Sequence, residues 1–278
     1  MRSALSPLQL AEPRKLDEAL RSLRDDPGLV PLAGCTDVYV GLNFGTVPQA
    51  RFINLWPLRE LRGIRRRPGG GLVIGALTTF SQLRASPLVH RHAPLLAQAA
   101  REIGGVQIQN RATLGGNIVN ASPAADTVPV LAVAEATLVL ASARGQREIA
   151  IGDFFLDRRK TALQPDELLI EVQLPPLPGP GFFRKVGTRA ANAISKVVFA
   201  AVRAEDAHSA RIAIGSVAPT VVRARRTEAA LASGAGLAQA AATLQTEIAP
   251  IDDLRSTAAY RRHVVSNLLE QFWKETSR

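Results

Sequence analysis

Leu16, Ala19, Leu20 and Leu23 recur at helical spacing, so the chain opens with a short amphipathic helix over residues 16–24 that Asp26-Pro27-Gly28 ends. LVPLAG then predicts a strand running into a glycine turn, and VYVGL (38–42) and RFINLW predict further strands. The turn RRRPGGG at 65–71 leads into the strand LVIGAL, and Thr78 or Thr79 caps a short helix carrying Phe80 and Leu83. Leu88, Leu95, Leu96, Ala99, Ala100 and Ile103 form one buried helical face over 87–103, closed by Gly104-Gly105. A helix of roughly residues 124–134 follows, then strands at ATLVLAS, REIAI and DELLIEVQLP.

Four prolines, Pro175, Pro176, Pro178 and Pro180, with Gly179 and Gly181 among them, mark a domain boundary. Beyond it, FFRKVGTRA, ISKVVFAAVRA and ARIAIGSVAP predict three antiparallel strands, and helices follow at 225–232, 237–248 and 257–272. Strands first and helices after is an α+β pattern.

The 278 residues suffice for two domains, and 46% apolar with 5% aromatic content means an aliphatic core. Cys35 is the single cysteine, which excludes an internal disulfide and any metal site built on four thiolates of this chain. The N-terminal MRSALSPLQLAEPRK lacks a secretory apolar run, and the apolar stretch at 128–140 is interrupted by Pro129 and Glu135, so no membrane span and a cytoplasmic location are expected. The net charge of +10 is nearly all arginine, scattered in small groups without interleaved aromatics; this disfavours nucleic acid and suits solvated faces or an acidic partner subunit.

No P-loop, G-x-G-x-x-G, G-x-S-x-G or H-E-x-x-H signature is present, His90 and His92 lack partners for a metal, and no residue is assigned a catalytic acid or base role. Two small-residue turns remain, Leu32-Ala33-Gly34-Cys35-Thr36-Asp37 and Thr113-Leu114-Gly115-Gly116-Asn117, the second continuing to Asn120, Ser122 and Asp126. Glycines let backbone N–H groups face a ligand, and two such turns brought together suit the phosphates of a dinucleotide, with Asn117, Ser122 and Asp126 bonding sugar hydroxyls. Spacing alone leaves open the alternative that each turn simply ends a strand.

PLAGCTDVYVGL resembles the first flavin-phosphate loop of the FAD-binding subunit of molybdenum hydroxylases, the xanthine dehydrogenase and carbon monoxide dehydrogenase family. VQIQNRATLGGNIVNASPAADTVPVL is similar to that family's second loop, with its TxGGN turn and ASPxxD. INLWPLRELRGI, LVIGALTTFSQL, FFRKVGTRAANAISKV, SVAPTVVRARRTEAAL and IDDLRSTAAYRRHVVSNLL extend the resemblance along nearly the whole chain. The resemblance implies a vanillyl-alcohol-oxidase-type FAD domain over 1–176, in subdomains of about 1–57 and 58–176. An α+β domain of three antiparallel strands plus helices then covers 181–278.

By the same resemblance, Leu32, Ala33, Gly34, Cys35, Thr36, Asp37 and Val38, with Thr113, Leu114, Gly115, Gly116 and Asn117, wrap the pyrophosphate and adjoining sugar. Asp126 binds a sugar hydroxyl, Ile103 lines the groove, Leu169 packs on flavin or adenine, and Ile194 lies over the isoalloxazine ring. Lys185 reaches the flavin from the second domain, where a cation favours the reduced anionic form. The family's first loop usually reads A-G-G-T-D, so Cys35 departs from it; at φ > 0 it costs about 1 kcal/mol relative to glycine.

The implied role is electron transfer through FAD, between 2Fe–2S clusters on a small partner subunit and NAD or another acceptor. A molybdenum–pterin large subunit performs the hydroxylation. A xanthine dehydrogenase-like complex is the first expectation, assembled as a dimer of heterotrimers. The alternatives are a stand-alone flavin oxidoreductase of the same fold and a flavin-free assembly subunit.

Overall fold

The Leu16/Ala19/Leu20/Leu23 stripe lays its helix on a small parallel sheet at the start of the chain. In this computed structural model, which describes residues 8–48, 51–204 and 209–276, the first module runs β1 (Gln9–Ala11), α1 (Leu16–Asp25), β2 (Val30–Leu32), α2 (Val38–Asn43) and β3 (Arg51–Asn54). Its strands are parallel in the order β1-β3-β2. Ala19, Leu20 and Leu23 pack there with Ile53, Leu55 and Leu58. The stretch VYVGL departs from expectation: it is helical, not a strand. The Gly34-Cys35 turn leads the chain away from β2, and Tyr39 N–H to Cys35 O (3.0 Å) and Phe44 N–H to Val40 O (3.1 Å) close local turns. Its valines suggested a strand through a propensity that is weak without a neighbouring edge to pair with.

The second module holds a five-stranded antiparallel sheet with helices inserted between its strands. It runs β4 (Ile64–Arg66), β5 (Leu72–Gly75), α3 (Phe80–Ala85), α4 (Pro87–His92), α5 (Pro94–Glu102), α6 (Val106–Gln109), α7 (Leu114–Val119) and α8 (Val128–Val133). It continues through β6 (Thr137–Ser142), β7 (Gly145–Ala150), α9 (Ile151–Phe154), the hairpin β8 (Phe155–Asp157) and β9 (Lys160–Thr161), and β10 (Leu168–Leu174). The strand order is β4-β5-β10-β6-β7.

Three expected elements change here. The single helical face of 87–103 is two helices, because Pro94 pushes Ala93 out of the helical region, to φ −145° and ψ 56°. The helix expected over 124–134 begins only at Val128, with Pro129 in its first turn; before it, Ser122 Oγ accepts from Ala124 N–H (3.2 Å) and closes a turn instead. The TLGGN turn is itself the start of α7, capped by Thr113.

The third module is β11 (Gly181–Val186), β12 (Val197–Arg203), β13 (Ala210–Gly215) and the two-residue edge strand β14 (Val222–Arg223), followed by α10 (Arg225–Ala232), α11 (Leu237–Glu247) and α12 (Ala258–Glu275). The strands are antiparallel in sequential order. Alternate side chains separate onto two cores: Phe183, Val198, Ala200 and Val202 join the large core of the second module, while Phe182, Val197, Phe199 and Ala201 pack with Val265, Leu269 and Phe272 of α12. A sheet buried on both faces explains why VVFAAV reads as an unbroken apolar run. Among the described residues, no helix is long and apolar enough to cross a membrane.

Candidate functional site

Residues 111 and 112, far along the chain, become neighbours of Gly34. A Cβ there would lie 1.9 Å from the carbonyl oxygen of Arg111 and 3.1 Å from Ala112 Cα, so only glycine lets the first turn rest on the backbone that leads into the second. Cys35 follows in the left-handed region at φ +61°. The thiol is half-buried beside Ala33 O (3.7 Å), and burial raises its pKa despite the nearby Arg111 charge.

The second turn is held against the five-stranded sheet. Thr113 pairs with Thr79, Leu114 N–H donates to Thr78 O (3.0 Å) and Gly115 N–H to Ala76 O (2.8 Å). A Cβ on Gly115 would stand 2.7 Å from Ala76 Cβ. Gly116 N–H donates to Thr113 Oγ1 (3.1 Å) and Asn117 N–H to Thr113 O (3.0 Å). The second turn therefore spends the amides of Leu114, Gly115, Gly116 and Asn117 inside the chain, and the first differs from it. There, no described residue accepts from the N–H groups of Gly34, Cys35, Thr36, Asp37 or Val38. Five consecutive backbone donors without an internal acceptor form a surface suited to an anion.

Asn117 is tied down by Thr127, whose Oγ1 donates to Asn117 Oδ1 (2.5 Å). Asp126 and Lys185 meet across the module boundary: Lys185 Nζ donates to Asp126 Oδ2 (2.7 Å) and to Glu102 O (2.7 Å). Both side chains are buried, 5% exposed for Lys185 and 10% for Asp126. Burial pushes the Asp126 carboxyl up to about 6, while the Lys185 ammonium pulls it back. Asp126 Oδ1 has no partner among the described residues, and a buried carboxylate oxygen in that state suits a ligand hydroxyl.

Ile103 and Leu169 lie in the large core with Leu114. Ile194 precedes β12 rather than forming part of it and is 55% exposed, an apolar side chain with a free face.

Two family models span nearly the whole chain: FAD binding domain in molybdopterin dehydrogenase over residues 6–177, and CO dehydrogenase flavoprotein C-terminal domain over 182–276. The chain belongs to this flavoprotein family. It is similar to the xanthine dehydrogenase FAD-binding subunit of Escherichia coli O157:H7, 32% identical over 94% of this chain and 92% of that one. It is also similar to the glyceraldehyde dehydrogenase medium chain of Sulfolobus acidocaldarius, 30% identical over 94% and 95%. A chain of the crystallised Hydrogenophaga pseudoflava carbon monoxide dehydrogenase that lacks the Mo-pyranopterin moiety superposes with a TM-score of 0.91, at 28% identity over 97% and 96%.

In this flavoprotein the supporting residues were less legible than the turns. Gln109 is buried and donates to Arg101 O (3.1 Å) and Ile103 O (2.9 Å), fixing the loop ahead of the second turn. Nothing in VQIQNR sets it apart from Gln107 or Asn110 beside it. Thr79 both anchors Thr113 and caps α3 in a reciprocal box with Gln82, a T-x-x-Q spacing that the sequence does display.

Proposed function

We propose that this chain is the FAD-carrying electron-transfer subunit of a multi-subunit molybdenum hydroxylase. It stands between the 2Fe–2S clusters of a small partner subunit and NAD or another acceptor, with a molybdenum–pterin large subunit completing the complex. The observation that carries this reading is the row of five N–H groups over Gly34–Val38 without an acceptor among the described residues, set beside a glycine turn that a Cβ would obstruct. The donor set fits the cofactor. Leu32, Ala33, Gly34, Cys35, Thr36, Asp37 and Val38 would cradle the diphosphate, and Thr113, Leu114, Gly115, Gly116 and Asn117 would form the opposite wall. Asp126 Oδ1 would accept from a sugar hydroxyl, Lys185 would supply a cation on the flavin side, and Ile194 would cover the ring, with Ile103 and Leu169 behind the groove.

The flavin, when bound, supplies one- and two-electron redox chemistry. The protein's own work is to bind it, shield it from water and hold one buried cation in place. Glu102 O and Asp126 keep the Lys185 ammonium at a fixed position without any acid or base role. A complex of the xanthine dehydrogenase kind, arranged as a dimer of heterotrimers, is the assembly this reading favours.

The test is a visible absorption spectrum of the purified chain before and after incubation with FAD and removal of the excess. About one flavin per chain is expected. A folded chain that stays colourless in both would overturn the proposal. Co-purification with molybdenum and iron–sulfur subunits tests the partners separately.

A further inference from the structure

Among the described residues, Arg111 is a cation with no ion-pair partner. Its guanidinium carbon lies 3.7 Å from the centroid of the Trp56 ring, so the side chain is laid flat on an aromatic face. No carboxylate among the described residues lies within ion-pair distance of it, and no described acceptor takes its N–H groups. The same indole carries a second guanidinium, Arg62, at 4.2 Å. Arg62 donates to Leu77 O (3.1 Å) and Trp56 O (2.8 Å). Two like charges therefore share one ring, one committed to backbone carbonyls and the other with its donors open.

Position matters as much as availability. Gly34 rests on the carbonyl of Arg111, so this arginine belongs to the residue that abuts the unpartnered amides of Gly34–Val38. Its charge also reaches the Cys35 thiol, where it acts against the effect of burial. A planar fork of N–H donors, pre-set by stacking and placed beside a row of free backbone N–H groups, is the arrangement that recognises phosphate oxygens.

We infer that Arg111, held by Trp56, is a diphosphate-binding residue of this chain that closes over the anion seated on the Gly34–Val38 amides. The inference rests on the flavin reading above and adds the side chain that neutralises the dinucleotide's charge. Neither Arg111 nor Trp56 lies in the glycine turns themselves.

The full-length apoprotein, titrated with FAD and with riboflavin (which has no phosphate) at low and high salt, tests it. Arg111→Gln should weaken FAD binding by about 10- to 100-fold, the loss expected for one or two charge-assisted hydrogen bonds. It should flatten the salt dependence of FAD binding and leave riboflavin binding unchanged. Arg111→Lys, which keeps the charge without the fork or the flat stack, should fall between. Both side chains are exposed at this position, and urea midpoints equal to wild type establish that the variants fold. FAD affinity and salt dependence unchanged in Arg111→Gln would overturn the inference while leaving the flavin reading intact. An equal loss of FAD and riboflavin would also overturn it, because the effect would then not be on phosphate. A folded wild-type chain that binds no FAD would remove the flavin reading and this inference with it.

Discussion

Cys35 sits in a conformation that a side chain enters at a cost. At φ +61° its Cβ crowds the following carbonyl, a penalty of about 1–2 kcal/mol that glycine avoids. Cys35→Gly should therefore stabilise the chain by about 1 kcal/mol, or ~3 °C in Tm, without loss of FAD. Cys35→Val, β-branched at the same φ, should lower Tm instead. Calorimetric scans of both variants check this, and a Tm drop for the glycine variant would mean that the thiol's contact with Ala33 O outweighs the strain. The Asp126–Lys185 pair gives a second test, through pH. Folding raises the Asp126 carboxyl from an ordinary 3.8 to about 6, so between those values the folded chain keeps a proton that the unfolded chain releases. Stability from this group accordingly falls as pH rises through that window, by about 2–3 kcal/mol, and levels off above it. Asp126→Asn should abolish that slope, while FAD binding weakens. Lys185→Met should do the opposite: it strands a buried carboxylate at pH 8, with a loss of about 3–5 kcal/mol, and is milder at pH 5 where the carboxyl is protonated. Urea titrations at the two pH values give both answers.

The elements differ in how far their residues foretold them. α1 was legible because its four apolar positions fall on one stripe and three of them, Ala19, Leu20 and Leu23, are fully buried. The central strands were legible because β-branched runs flanked by turns have few other solutions. α2 was not: none of its side chains is buried, so no helical stripe could appear, and two valines in six residues mimic a strand. α7 was hidden by its glycines, of which Gly115 serves close approach to Ala76 rather than a turn. The two turns themselves were found from composition, but which one offers free amides depends on Ala76 and Thr78, whose carbonyls no pattern announces. This division predicts a hydrogen-exchange signature. Amides of Gly115 and Gly116 should exchange slowly in the apoprotein, and those of Cys35, Thr36 and Asp37 quickly, with FAD slowing the first turn by at least ~10-fold. Protection by FAD confined to the second turn would reverse the assignment of the phosphate donors.

At the scale of the whole molecule, the prolines at 175–180 look like a hinge, yet the modules they join share a core. β11 and β12 give one set of side chains to α12 and its neighbours and the other set to the module that precedes them. Gly181 lies so close to Leu95 of α5 that a Cβ would stand 2.7 Å from its side chain, and Ser216 N–H reaches Pro123 O (2.8 Å). Lys185 carries the same connection into the candidate site, since its two acceptors, Glu102 O and Asp126, belong to the other module. The run VVFAAV announced a strand but not that both its faces are covered, because the second cover comes from residues 93–133, far away in sequence. A large apolar junction makes independent unfolding of the two halves costly, since either half alone would expose one face of the sheet or the helices that cover it. The full chain should therefore unfold in a single calorimetric transition, with equal van 't Hoff and calorimetric enthalpies. A fragment of residues 181–278 should show strand and helix signals but bind a hydrophobic dye, because Phe183, Val198, Ala200 and Val202 lose their cover. Two separated transitions in the intact chain, or a fragment that folds without dye binding, would mean that the proline segment is a true hinge and that Lys185 meets Asp126 only when a ligand draws the halves together.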